Sequence, residues 1–316
     1  MEWLESRSGE KPFLLFLAHK AVHAEFIPAP RHLGRYDGAP FRYPESMAPA
    51  DGRPMWVHNQ RNSWHGVDFA YHANLDIADY YRRYAETFLS VDEGIGQILD
   101  HLEARGVLES TLVLYLGDNG FAFGEHGLID KRTAYEESMR IPMLARCPEL
   151  IPAGVTVDEV VANLDIAPVI LAAAGLEPPA HFEGLDFLPL TRGEPVEWRK
   201  SFVYEYYWER NFPQTPTVHA IRTERYKFIH THGVWDIDEL YDLQDDALEM
   251  RNLIFSPGHE EIAQKLRDQL FDLLERTEGM QIPLARDFGE VNRSRDPEGP
   301  ELSPFPRPLF KKPISG

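Results

Sequence analysis

Short apolar runs and one long helical pattern alternate through the first half of the chain. Residues 12–18, Pro-Phe-Leu-Leu-Phe-Leu-Ala, form a continuous apolar run of the kind that becomes a strand buried on both faces. The run ends in His19, Lys20 and His23. From Phe26 to about Asp76 the sequence is rich in Pro, Gly, His, Trp and Tyr without sustained periodicity, which predicts a long irregular excursion; its aromatics argue against disorder. Residues 77–105 then place Tyr81, Tyr84, Phe88, Val91, Ile95, Ile98, Leu99 and Leu102 at three- and four-residue spacings. This predicts a helix, stopped at Gly106. Residues 112–117 read as a second buried strand, ending at Asp118-Asn119-Gly120, residues 141–146 as a third, and residues 165–174 as a helix. That order predicts an α/β fold, a mostly parallel sheet with helices on both faces.

The pattern changes near Thr191. Shorter strand-like pieces follow at 202–208, 218–223, 226–230 and 240–243, then a helix over 259–276. They predict a small C-terminal antiparallel sheet packed by that helix. From about Gly279 the chain carries seven prolines and no periodicity. The expected division is residues 1–190 as an α/β domain, 191–278 as the small sheet and helix, and 279–316 as a proline-rich tail that wraps or is partly disordered.

Composition narrows the partners. With 32 Lys plus Arg against 51 Asp plus Glu, the formal charge of −19 repels polyanions at long range, so nucleic acid is not expected as a partner. An anionic substrate would need a local group of cations or a metal to overcome the same field. No stretch approaches the ~20 apolar residues of a membrane span. The residues from Met1 onward show neither a basic start nor an apolar core of a signal peptide. The single cysteine, Cys147, excludes an intrachain disulfide and follows an apolar run, as a buried structural thiol would.

Ligands of open parallel sheets collect at the carboxyl ends of strands. Two such ends are polar here: one offers His19, Lys20 and His23, the other Asp118, Asn119, Glu125, His126, Asp130 and Lys131. Asp118 and Asn119 supply hard oxygen donors suited to calcium or magnesium, although Asp-Asn-Gly is equally what a tight turn demands. Lys131 could hold an anionic group nearby. His23 could give a proton to a leaving oxygen or be a surface histidine, and His126 could face a substrate or only occupy a loop.

Taken together, several segments resemble type I sulfatases of the alkaline-phosphatase superfamily, in family order from Lys11 to about Ile254. They are Lys-Pro-Phe-Leu-Leu-Phe-Leu-Ala-His-Lys-Ala-Val-His at 11–23, Leu-Val-Leu-Tyr-Leu-Gly-Asp-Asn-Gly at 112–120, and Gly-Glu-His-Gly-Leu-Ile-Asp-Lys-Arg-Thr-Ala-Tyr-Glu-Glu-Ser-Met-Arg-Ile-Pro-Met-Leu at 124–144. Asn-Leu-Asp-Ile-Ala-Pro-Val-Ile-Leu at 163–171, Gly-Leu-Asp-Phe-Leu-Pro-Leu at 184–190 and Arg-Thr-Glu-Arg-Tyr-Lys-Phe-Ile at 222–229 follow. The Ile-Asp-Lys-Arg-x-x-Tyr-Glu pattern is most similar to N-acetylglucosamine-6-sulfatases and related glycan sulfatases. The resemblance implies an alkaline-phosphatase-like fold and hydrolysis of a sulfate ester on a small molecule or glycan. It implies Asp118 and Asn119 as ligands of Ca2+ (Mg2+ less so), and His23 and Lys131 as catalytic residues, with Lys20 and His126 contacting substrate. Glu25 departs from the family, many of whose members have proline there.

A larger departure is that the sequence contains neither Cys-x-Pro-Ser-Arg nor Ser-x-Pro-Ser-Arg, the family motifs whose first residue becomes formylglycine; Cys147-Pro-Glu-Leu does not match. The resemblance thus implies an N-terminally truncated chain whose full-length parent would be periplasmic or secreted. Phosphoester or phosphonate hydrolysis and non-catalytic glycan or partner binding are the alternative readings. Without the attacking oxygen, the purified 316-residue chain is expected to show little or no turnover of an aryl sulfate. Measurable hydrolysis in a standard arylsulfatase assay would overturn this.

Overall fold

The computed structural model describes residues 2–7, 9, 11–69, 76–209, 212–232 and 236–280. Its helices are α1 (Glu2–Glu5), α2 (Met55–Gln60), α3 (Ile77–Ala104), α4 (Glu136–Met139), α5 (Ile166–Ala173), α6 (Leu188–Thr191) and α7 (Glu260–Arg276). Its strands are β1 (Val113–Leu116), β2 (Met143–Arg146), β3 (Ser201–Tyr206), β4 (Thr217–Thr223), β5 (Tyr226–His232) and β6 (Glu239–Asp242). The described part of the excursion, 26–69, is built from turns around the short α2, and much of the proline-rich tail lies outside the described residues.

Helix α3 starts where the Asp76 carboxylate accepts the Ala78 N–H at 2.9 Å. It stops at Gly106, whose φ of 68° lets Val107 N reach back to Leu102 O at 3.0 Å. Its inner face contributes Ile77 and Tyr80 to an aromatic cluster with Phe26, Phe123 and Ile129. That packing anchors the start of the irregular excursion to the loop after β1.

In the first half, β1 and β2 pair antiparallel, Val113 opposite Arg146 and Leu116 opposite Met143. The run 12–18 forms no strand and joins no ladder, and no parallel pairing occurs among the described strands. A ladder needs a neighbouring strand at hydrogen-bonding distance, and this run instead borders a cavity of about 1900 Å3 walled by α3, β1 and α5. Leu14, Phe16 and Leu17 are consequently 65%, 85% and 51% exposed, although their pattern is that of an interior strand.

The C-terminal half is the expected antiparallel sheet, in the order β3-β4-β5-β6. Both of its faces are covered, which is why Thr217 to Ile221 are buried without alternation. On one face, Ile221, Phe228 and Leu240 pack against Leu266, Leu270 and Leu274 of α7. Each such side chain contributes roughly 1.5–3 kcal/mol of burial. On the other face, Val218, Ala220, Ile229 and Tyr241 pack against Trp56 and Val57 of α2 and against Leu128 and Tyr135.

Polar groups buried in this second interface join the loop 122–139 to the sheet. Lys227 on β5 is fully buried; its Nζ donates to Ala134 O at 2.8 Å and lies 2.7 Å from Glu249 and 2.9 Å from Glu136. Arg222 also pairs with Glu136 at 3.0 Å. Burial pushes the Glu136 carboxyl up, but Lys227 and Arg222 together hold it below the ordinary carboxylate range. Nearby, Glu239 on β6 accepts from Tyr135 Oη at 2.7 Å and Tyr241 Oη at 2.6 Å. Its burial, opposed by those two donors, raises its pKa to about 7.

The exposed run suggests a cause of self-association. Phe16→Asp is expected to lower the weight-average mass of the purified chain in light scattering; a native chain that is already a monodisperse, cooperatively melting monomer would contradict this. Glu239 gives a pH signature. A carboxyl with a raised folded pKa favours the fold while protonated, so its contribution is complete below the ordinary value of 4.5 and is lost as pH rises through about 7. The melting temperature of Glu239→Gln minus that of the native chain should therefore grow more positive between about pH 5 and about pH 8. A constant difference would show that Glu239 does not titrate in that window.

Candidate active site

The end of β1 leads directly into Asp118-Asn119-Gly120, and this turn is clasped from behind. Gly120 N donates to Ser138 O at 2.8 Å, and a Cβ on Gly120 would fall 2.0 Å from Glu137 O. Only glycine permits that approach. The Asp118 carboxylate accepts the N–H of Asn119 at 2.9 Å, and the Asn119 amide donates to Gly120 O at 2.7 Å. One oxygen of Asp118 and the amide oxygen of Asn119 are left without a partner among the described residues. Hard oxygen donors of this kind fit a divalent cation such as Ca2+, which takes six to eight of them. Two such donors are fewer than that cation requires.

Lys131 stands in a loop fixed on both sides. Before it, Ile129 N donates to His65 O at 2.8 Å, and the buried Asp130 carboxylate accepts from Gln60 at 3.0 Å and Arg132 at 2.7 Å. After it, Lys227 holds Ala134 O. The Lys131 amine itself has no hydrogen bond or ion pair among the described residues. In a chain of charge −19, an ammonium left uncompensated beside a cavity is suited to an anion.

His23 follows the run 12–18. Its Nδ1 lies 2.6 Å from Ala24 O, and since a carbonyl only accepts, that nitrogen is the donor. His19 rests against α3, where a Cβ at Gly94 would meet its ring at 3.5 Å. Lys20 is exposed between them.

The large cavity brings Lys20, His23, Asp118, Asn119 and Lys131 to one wall system, with Arg132 stacked over the Phe212 ring at 3.4 Å. His126 is the exception. It is 2% exposed, contacts Arg53 through Nδ1 and Glu137 through Nε2 at 3.1 Å, and stacks on Tyr135 at 3.9 Å. The expectation that it faces a substrate is corrected: the turn at Gly124 and Gly127 folds the histidine inward as a packing residue. Burial first and then Arg53 lower its pKa to about 3, so it stays neutral.

His126, Glu137 and Glu249 bring three donor atoms within 4.8 Å of one another, the geometry of a metal site. The chemistry is otherwise. Lys227 pairs with Glu249, and Arg53 occupies the other side of His126, so cations of the protein already compensate these carboxylates. Cys147 is buried, 3.7 Å from Glu109 O, as a structural thiol would be. No helix among the described residues is long and apolar enough to cross a membrane.

Sequence reasoning passed over Asn163, which lines the same cavity and donates to Asp118 O at 2.9 Å. The signal was present in the segment beginning Asn163-Leu-Asp, but nothing in the sequence links it to a residue 45 positions earlier.

The sequence profile of the sulfatase family matches residues 1–176, and that of the N-sulphoglucosamine sulphohydrolase C-terminal region matches residues 124–276. The chain is 32% identical to an N-acetylglucosamine-6-O-sulfatase of Bacteroides thetaiotaomicron over 88% of its own length, and spans 60% of that protein. A solved structure described as being in complex with its substrate D-glucosamine-2-N,6-O-disulfate matches 90% of the chain at a TM-score of 0.80 and 28% identity, with 69% of that structure covered. The phosphonate monoester hydrolase of Agrobacterium radiobacter matches 64% of the chain at a TM-score of 0.57 and 25% identity, with 42% of it covered. The fold is alkaline-phosphatase-like, and the chain, matched by the family profile over more than half its length, belongs to the sulfatase family.

Proposed function

We propose that this chain forms the cation-binding and leaving-group side of a glycan sulfatase, acting on a 6-O-sulfated glucosamine. The carrying observation is that His23, Lys20, Asp118, Asn119 and Lys131, from segments distant in sequence, line one cavity. The name of the Bacteroides relative and the disulfated glucosamine in the similar structure favour this substrate class.

In this reading Asp118 and Asn119 hold a divalent cation, with Ca2+ preferred over Mg2+, which when bound would withdraw charge from the sulfate oxygens. Lys131 holds another sulfate oxygen by a charge-assisted hydrogen bond. Lys20, an exposed residue lining the same cavity, attracts the anion against the global field. His23 Nε2 delivers a proton to the departing sugar oxygen, so that the alcohol and not the alkoxide leaves. The attacking oxygen is not among these residues; in the family it comes from formylglycine, and neither motif that yields one occurs in this sequence. The residues described here therefore bind, orient and protonate. The phosphonate hydrolase neighbour favours a second reading, in which the same wall holds a phosphonate monoester.

Glucosamine 6-sulfate is expected to bind the full chain in the presence of Ca2+, and Lys131→Ala to weaken binding at least about tenfold, as loss of a charged hydrogen bond does. Isothermal titration calorimetry provides the measurement. Binding unaffected by the substitution would remove Lys131 from the site, and tighter binding of a phosphonate monoester would favour the second reading.

A further inference from the structure

Asp118 and Asn119 are joined by one peptide plane, and both ends of that plane are held. At one end the Asn119 N–H is bound by the Asp118 carboxylate at 2.9 Å. At the other, the Asp118 carbonyl accepts from Asn163 Nδ2 at 2.9 Å. Because the peptide is planar and rigid, holding its oxygen and its N–H holds the two α-carbons from which the flanking side chains leave the backbone.

Asn163 is exposed, but the turn that carries it is anchored in the fold. It opens a 3-10 turn, Asn163–Asp165, that ends in a fully buried carboxylate. Asp165 accepts the N–H groups of Ala162 at 2.8 Å and Leu185 at 2.7 Å, and both prongs of the Arg199 guanidinium. The segment at Gly184 presses on the same turn so closely that a Cβ there would fall 1.9 Å from Leu164 O. Shifting the backbone of this turn would disturb a buried, bidentate ion pair, so the asparagine side chain reaches the cavity from a fixed base.

We propose that Asn163 is a positioning residue for the cation-binding pair. Its hydrogen bond sets the peptide between Asp118 and Asn119 so that their free oxygens converge on one cation. The inference rests on the reading of those two residues as cation ligands. It assigns Asn163 no contact with the cation or with substrate.

The test is a terbium luminescence titration of the full chain, with Ca2+ as competitor, on the native protein and on Asp118→Asn, Asn163→Ala and Asn163→Asp. Terbium should bind the native chain in competition with Ca2+, and Asp118→Asn should abolish that binding. Asn163→Ala should weaken it roughly tenfold, the low end of what loss of a ligand-orienting partner costs, while leaving the metal-free melting temperature unchanged. Asn163→Asp should also weaken it despite the added negative charge, because the donor is lost. Native binding that Asp118→Asn does not reduce, or no binding, overturns the ligand reading and the positioning role with it. Binding lost in Asp118→Asn but kept in Asn163→Ala overturns the positioning role alone. Tighter binding by Asn163→Asp would make residue 163 a ligand and overturn it as well.

Discussion

The arrangement of the lysine loop depends on one buried ammonium. Lys227 sits at zero exposure between Glu136 and Glu249 and donates to the backbone of Ala134. Bringing such a charge out of water costs several kcal/mol unless its partners are well placed. Here two carboxylates and a carbonyl supply them, and Arg222 balances the surplus negative charge on Glu136. The consequence is mechanical. The loop carrying Lys131 cannot separate from the C-terminal sheet without exposing or orphaning several charges at once, so residues distant in sequence set the position of a group that lines the cavity.

The same economy governs the other wall. Asp118 and Asn119 are placed by glycine contact with α4 behind them and by Asn163 beside them, and Asn163 is in turn held by the Asp165–Arg199 pair. Two buried ion-pair groups, one against the C-terminal sheet and one at the turn before α5, thus fix groups of opposite character lining a common cavity. In the proposed reading, repulsion between the acidic protein and an anion is met locally, by the free Lys131 amine and the oxygens of Asp118 and Asn119, and not by any change in the overall field.

Much of this was legible in the sequence. The helix at 77–105, the strands at 112–117 and 141–146, and the four short strands before the last helix were found within about two residues of their ends, because each has a clear apolar period and a glycine or turn stop. The run 12–18 has equally clear composition yet makes no ladder, since pairing depends on a neighbour that local pattern does not report. His126 was misread because its loop looks polar; the inward fold depends on left-handed glycines and on Arg53, 73 residues away. Lys227 and Asn163 were visible only as members of motifs. Their roles come from partners at separations of 93 and 45 residues, which no spacing rule connects.

Gly120 has an implication for how this protein can change over time. With a neighbouring carbonyl occupying the place where a side chain would begin, every missense codon at that position is closed to drift, whatever chemistry it encodes. Alterations of the turn are therefore confined to its flanks, and a lineage that gives up the acidic and amide groups beside it would still keep the bend itself.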